Sequence, residues 1–258
     1  MTDGVLTTGV DGTKDRIRHY WDRTATFYDR PAPGWQSPGE VAAWKEELSA
    51  ALGPEPRKLL DVGTGTGFLS FALHELGHRM NGIDLSPNML GLAQERAAAM
   101  ADAPDFALGD AEDLQFPDRS FDGVVCRYAL WTLPDPERAV REWARVVRGG
   151  GVILVIDGLW VYQGWLRKLA GVMRTLHRTW REGAVPGYEA DLRRRLPFGS
   201  GTRPNEVEEL LTRAGLEVQG ARDLAALRAV QRRNLAWYLR YSFTWPTFMI
   251  WARVPEKP

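Results

Sequence analysis

The sequence predicts an α/β fold, doubly wound around a mostly parallel seven-stranded sheet whose last strand is antiparallel. Three observations predict it. From Arg57 onward, short β-like runs alternate with helical ones. The fifth such run, GVILVID at 151–157, is apolar almost throughout, as a strand covered on both faces should be. The first run passes directly into a glycine-rich turn and then a helix, an arrangement that turns unpaired backbone N–H groups toward a ligand.

In chain order, a helical cap comes first: TKDRIRHYWDRTATFYD (13–29) and PGEVAAWKEELSAAL (38–52), separated by the Pro/Gly-rich PAPGWQSPG. KLLDV (58–62) is a strand and FLSFALHEL (68–76) a helix, with Gly77 in place to close it. HRMNGIDL (78–85) is the second strand, after which Ser86 and Pro87 offer an N-cap and a first-turn proline to NMLGLAQERAAAMA. DFALGD (105–110) and FDGVVCRY (121–128) are the third and fourth strands. PDPERAVREWARVVRGG (134–150) reads as helix, with Val140, Trp143 and Val147 on one stripe. After Asp157 the rhythm breaks for about 45 residues. It resumes with the helix NEVEELLTRAG (205–215), the strand LEVQGA (216–221) and a final strand TFMIWARV (247–254). The expected organisation is one domain over 1–258: a helical N-terminal cap (1–56), a core (57–156), a lid or insertion (157–203) and a C-terminal part completing the sheet (204–258).

Composition excludes several functions. Lys plus Arg and Asp plus Glu both number 33, so no basic field points to nucleic acid or an anionic membrane. No apolar run approaches the ~18 residues of a membrane span, and MTDGVLTTGVDGTKDR lacks the apolar core of a signal peptide. A cytoplasmic protein is expected. The single cysteine, Cys126, excludes an internal disulfide and reads as a small buried hydrophobe.

The loop after the first strand is D-x-G-x-G-x-G, Asp61 to Gly67. The dinucleotide fingerprint G-x-G-x-x-G would need glycine at Phe68 and does not have it. Asp61-Val62-Gly63-Thr64-Gly65-Thr66-Gly67 instead resembles motif I of the class I S-adenosylmethionine-dependent methyltransferases. Asp84 ends the second strand about 20 residues further on, where an acid can accept both hydroxyls of a ribose. Asp110 ends the third strand, and FPDRSFDGVVCRYALWTLPDP (116–136) is similar to the family's next block. The likeness covers about 57–156 and is nearest the quinone-biosynthesis and natural-product groups. It implies a Rossmann-like fold and S-adenosylmethionine as methyl donor, leaving S-adenosylhomocysteine, with no metal.

The resemblance also implies site residues. To the cofactor it assigns Tyr20, Asp61, Gly63, Thr64, Gly65, Asp84, Leu85, Met89, Asp110, Ala111, Glu112 and Arg127, with Asp110 taking the adenine amino group. Aromatics of the N-terminal stretch close over the cofactor in such enzymes, which makes Tyr20 and Tyr28 candidates for gating it and polarising the nucleophile. His177 is a third catalytic candidate, at the edge of an apolar stripe running from Tyr162 to Trp180. His74 and His78 are expected at the surface, away from the strand ends. Trp131 stands where the family often has histidine.

Eleven tryptophans are an unusual load, and Trp21, Trp35, Trp160, Trp165, Trp180, Trp237, Trp245 and Trp251 fall in the cap, the insertion and the C-terminal segment, collectively suggesting an aromatic-walled cavity. Trp35, Trp131, Trp160, Trp165 and Trp180 are expected to wall an acceptor cavity. The expected reaction is in-line methyl transfer to an N, C or O atom of a small aromatic or heterocyclic secondary metabolite. Alternatives are a quinone C-methyltransferase touching the membrane through the basic Trp helix, and a cofactor-binding protein with a non-methylating role. That helix would serve as lid or as a homodimer contact, and balanced charge speaks against membrane and nucleic-acid partners.

Overall fold

The computed structural model describes residues 10–28, 37–159, 172, 187–233 and 246–256. The elements run α1 (Val10–Tyr28), α2 (Pro38–Leu52), β1 (Lys58–Val62), α3 (Phe68–His74), β2 (Arg79–Asp84), α4 (Pro87–Ala97), β3 (Asp105–Leu108) and β4 (Phe121–Arg127). There follow a short 3-10 turn (Leu130–Thr132), α5 (Pro136–Val146), β5 (Val147–Gly158), α6 (Ala190–Arg195), α7 (Pro204–Arg213), β6 (Glu217–Asp223), α8 (Ala225–Arg233) and β7 (Thr247–Arg253). The strands form one seven-stranded sheet in the order β3-β2-β1-β4-β5-β7-β6. β1 to β5 pair in parallel, and β7 runs antiparallel between β5 and β6.

Strand alternation divides the core into two layers. Leu60, Val62, Ile153, Val155 and Ile250 face α5 and α7, where Val140, Trp143 and Leu211 meet them. Leu59, Leu154, Ile156 and Met249 face the other way, onto Trp44 and Leu48 of α2 and Leu69 and Leu73 of α3. Cys126 lies fully buried in the first layer, and burial pushes its thiol pKa well up, leaving it an inert hydrophobe.

The strand order reverses between β1 and β4, so the carboxyl ends of β1, β2 and β3 open onto a crevice at the switch point. Capping fixes where each helix enters it. Ser86 Oγ accepts from the Met89 amide with Pro87 in the first turn, and Asp135 caps α5 through the Arg138 amide. Two local expectations change. α5 ends at Val146, and Val147 already belongs to β5, where a register shift between Phe121 and Gly123 absorbs the glycines at 149–151. His78 is buried rather than exposed: its Nδ1 accepts the Arg57 amide at 3.2 Å, and burial lowers its pKa. Its place between α3 and β2 is remote from the strand ends.

Candidate active site

The glycine loop is stapled to the neighbouring strand. The amides of Gly63 and Thr64 both donate to the Ile83 carbonyl at 2.9 Å. Gly63 has φ +69°, and a Cβ built there would overlap the Ala129 methyl. Asp61 is buried, and its Oδ2 accepts from Thr64 Oγ1 and Ser70 Oγ, each at 2.7 Å. Burial raises its pKa despite those bonds and the nearby Arg127 charge. Asp61 therefore ties β1, the loop and α3 into one rigid cradle.

Gly65 carries the fit to a ligand. Its φ is +56°, its amide donates to Asp84 Oδ2 at 2.8 Å, and its Cβ position meets no atom within 4 Å. The missing side chain leaves room for a ligand to approach bare backbone. Asp84 Oδ1 accepts the Ser86 amide at 2.8 Å, so both oxygens are aimed by backbone while keeping further lone pairs. Burial pushes Asp84 up to about 6.

The third acid closes the row. Asp110 Oδ1 accepts the Glu112 amide at 2.9 Å, and the loop beyond is held by α5. Trp143 Nε1 donates to the Ala111 carbonyl at 3.0 Å, Glu142 accepts the Leu114 amide, and Arg145 donates to the carbonyls of Leu114 and Phe116. Arg127 ends β4 with its guanidinium over the rings of Phe68 at 4.4 Å, Tyr128 at 4.8 Å and Trp44 at 5.3 Å. Tyr128 follows with φ 59°, a left-handed conformation costly for a non-glycine residue, which turns the chain so that Ala129 abuts Gly63.

These groups line one cleft, partly open to solvent. Of the residues expected at the cofactor, Asp61, Gly63, Thr64, Gly65, Asp84, Leu85, Met89, Asp110, Ala111, Glu112 and Arg127 all line it. Tyr20 does not. The face of α1 turned to the cleft carries Lys14, Ile17 and Trp21, and Tyr20 stands about 100° round the helix from Trp21. Its ring instead packs edge-on against Tyr188 at 4.6 Å and Trp21 at 5.0 Å. Trp131 is buried behind Trp21 and Tyr188, at 6.2 and 5.0 Å, and does not line the cleft.

Tyr28 ends α1 with its side chain outside the described residues, as are Trp35, Trp160, Trp165, His177 and Trp180. Sequence reasoning missed Lys14, Ile17, Tyr128 and Leu133, which line the cleft beside Trp21, one of the tryptophans noted outside the core. Ile17 and Trp21 had a signal: they stand four apart, on one face of the helix that carries Tyr20. Among the described residues no helix is long and apolar enough to cross a membrane.

A doubly wound sheet with a bare glycine loop and three strand-end acids defines an enzyme class that holds a nucleoside-bearing cofactor at its switch point. The description "Methyltransferase domain" matches residues 60–155. A phosphatidylethanolamine N-methyltransferase of Cereibacter sphaeroides is 40% identical over 139 residues, 53% of this chain and 68% of that protein. A demethylmenaquinone methyltransferase of Deinococcus radiodurans is 36% identical over 122 residues, 46% of this chain and 51% of that one. Among solved structures, the (4+2)-cyclase SpnF superposes with a TM-score of 0.64 at 18% identity, covering 93% of this chain and 96% of its own, a likeness of fold. The chain belongs to the class I S-adenosylmethionine-dependent methyltransferases.

Proposed function

We propose that this methyltransferase acts on a small aromatic or heterocyclic secondary metabolite at N, C or O, in the cytoplasm and without a nucleic-acid partner. The observation that carries the reading is the make-up of the cleft: the acids at the strand ends share it with an apolar wall of Ile17, Trp21, Leu69, Tyr128 and Leu133. The acids fit a ribose and an adenine; the wall fits a flat apolar acceptor. S-adenosylmethionine supplies an electrophilic methyl carbon, transferred by in-line displacement once a nucleophile lies opposite the sulfur. This chain's residues then act by holding and drying. Asp61 fixes the loop, Asp84 and Asp110 accept from the nucleoside, and Ile17 and Trp21 of α1 exclude water from above.

Among the described residues lining the cleft there is no histidine or cysteine. That favours acceptors already nucleophilic near neutral pH: an amine, an acidic phenol or an electron-rich ring carbon. A second reading, a lipid-borne quinone or amine, is favoured by the activities of the two relatives and by the same apolar wall.

A panel separates them: soluble naphthols, quinols and aromatic amines against vesicle-borne demethylmenaquinol and phosphatidylethanolamine, each read by mass for an added methyl group. Methylation of a soluble acceptor supports the first reading. Methylation confined to the vesicle-borne acceptors overturns it.

A further inference from the structure

An ion-pair cluster joins the cap to the end of β3. Lys14 Nζ lies 2.6 Å from Asp110 Oδ2 and 2.6 Å from Glu112 Oε2. Glu112 is only 1% exposed, and its other oxygen accepts the Asp135 amide at 2.6 Å. Asp110 is thus gripped on both sides, by the Glu112 amide on Oδ1 and by the Lys14 ammonium on Oδ2. Burial works against the charge on Lys14, but the bonds to the two acids outweigh it and its pKa is raised. Departure of the ammonium would leave Glu112 a buried, uncompensated carboxylate. Lys14 is therefore anchored at Glu112, and its reach from there sets how Asp110 faces the cleft.

We propose that Lys14 is a positioning residue for base recognition. It holds Asp110 so oriented that its carboxylate accepts from the exocyclic amino group of adenine and rejects a base presenting a carbonyl there. An acceptor-only carboxylate cannot pair with a carbonyl. The proposal rests on reading Asp110 as the adenine acid. Ile17 and Trp21 lie on the same face of α1, so the residue that aims Asp110 also seats the helix over the bound base.

Calorimetric titration with S-adenosylhomocysteine and with S-inosylhomocysteine, which carries hypoxanthine for adenine, tests it. The proteins are the unaltered chain, Lys14→Met, Lys14→Arg and Asp22→Asn. Asp22 is the second tether of α1, accepting from Ser86 Oγ at 2.6 Å, and is not bonded to Asp110. The unaltered protein is expected to prefer the adenosyl ligand by about 100-fold. Lys14→Met should compress that preference about tenfold, Lys14→Arg should restore most of it, and Asp22→Asn should weaken both ligands alike. Should Lys14→Met not fold, Lys14→Gln takes its place.

Equal weakening of both ligands by the Lys14 variant, with the preference intact, overturns the proposal. So does the same compression in Asp22→Asn. A preference near one in the unaltered protein overturns the reading of Asp110, and the proposal with it.

Discussion

Asp84 gives the most quantitative test of the cleft. Burial holds its carboxyl at about 6, while an unperturbed aspartic acid titrates near 3.9. Two ribose hydroxyls donating to it favour the ionised form, so cofactor binding pulls the pKa down and releases a proton wherever free Asp84 holds one. The sign follows: affinity is flat above about 6 and falls as pH drops below it, approaching tenfold per unit. Between pH 7 and pH 5 the dissociation constant of S-adenosylhomocysteine should rise about tenfold, from the two-state titration of one group at about 6. On folding the same shift has the opposite sense. The cofactor-free protein gains stability from this carboxyl below the unfolded value and loses it as pH rises through about 6. Calorimetry from pH 5 to pH 8 on the unaltered protein and Asp84→Asn reads both size and slope. Asp84→Asn keeps an acceptor but loses the charge, so it should bind on the order of 10- to 100-fold more weakly at pH 7 and lose most of the pH slope. An unchanged slope in Asp84→Asn, or a flat profile in the unaltered protein, would refute the placement of the ribose.

Three further outcomes are expected. Gly63→Ala must place a side chain at φ +69° and against Ala129, so cofactor binding should be lost and the melting temperature should fall in a thermal scan. Trp143→Ala empties a fully buried site behind the β3–β4 loop; denaturant unfolding should show a loss of about 3–5 kcal/mol, more than any surface change on α5. Tyr20→Phe should leave turnover within about twofold, whereas Trp21→Ala, which opens the cleft to water, should lower it about tenfold in a steady-state assay.

The fold of the core and the lining of its cleft were legible because their sequence signals are local and mutually consistent. Glycines at 63, 65 and 67 need positive φ, and Asp84 and Asp110 end runs whose apolar pattern makes them strands. The cap was misread for an equally definite reason. Tyr20 and Trp21 are adjacent in sequence, but one helical step of about 100° sends one into the cleft and the other onto Tyr188. Which of two neighbouring aromatics faces inward depends on how α1 lies across the sheet, a tertiary fact with no local signature. Val147 was misplaced similarly. A buried valine one turn beyond Trp143 satisfies a helical stripe and a covered strand equally well, and only the pairing with Phe121 decides it. Lys14 gave no apolar signal at all; its partners lie 96 and 98 residues away along the chain.

This placement also bears on how the cap and the core cooperate. α1 has a small apolar cluster of its own, in which Ile17 meets Leu192 and Leu196, with Arg16 paired to Glu189 and Asp191. Toward the core, polar tethers hold it: Lys14 to the end of β3, and Asp22 to Ser86 and Asn88 at the start of α4. One tether ends on Asp110 itself and the other beside Asp84, and both acids line the cleft. Apolar packing is insensitive to where a ligand's polar groups fall, whereas the Lys14–Asp110 bond uses the acceptor that the proposal assigns to the adenine. On the proposed placement, a bound nucleoside would act on a bond that seats α1, the helix that carries Trp21. The proposal predicts an ordered reaction: with the donor entering first and setting the wall against which the acceptor packs, product-inhibition kinetics should give S-adenosylhomocysteine as a competitive inhibitor against the donor and a noncompetitive one against the acceptor.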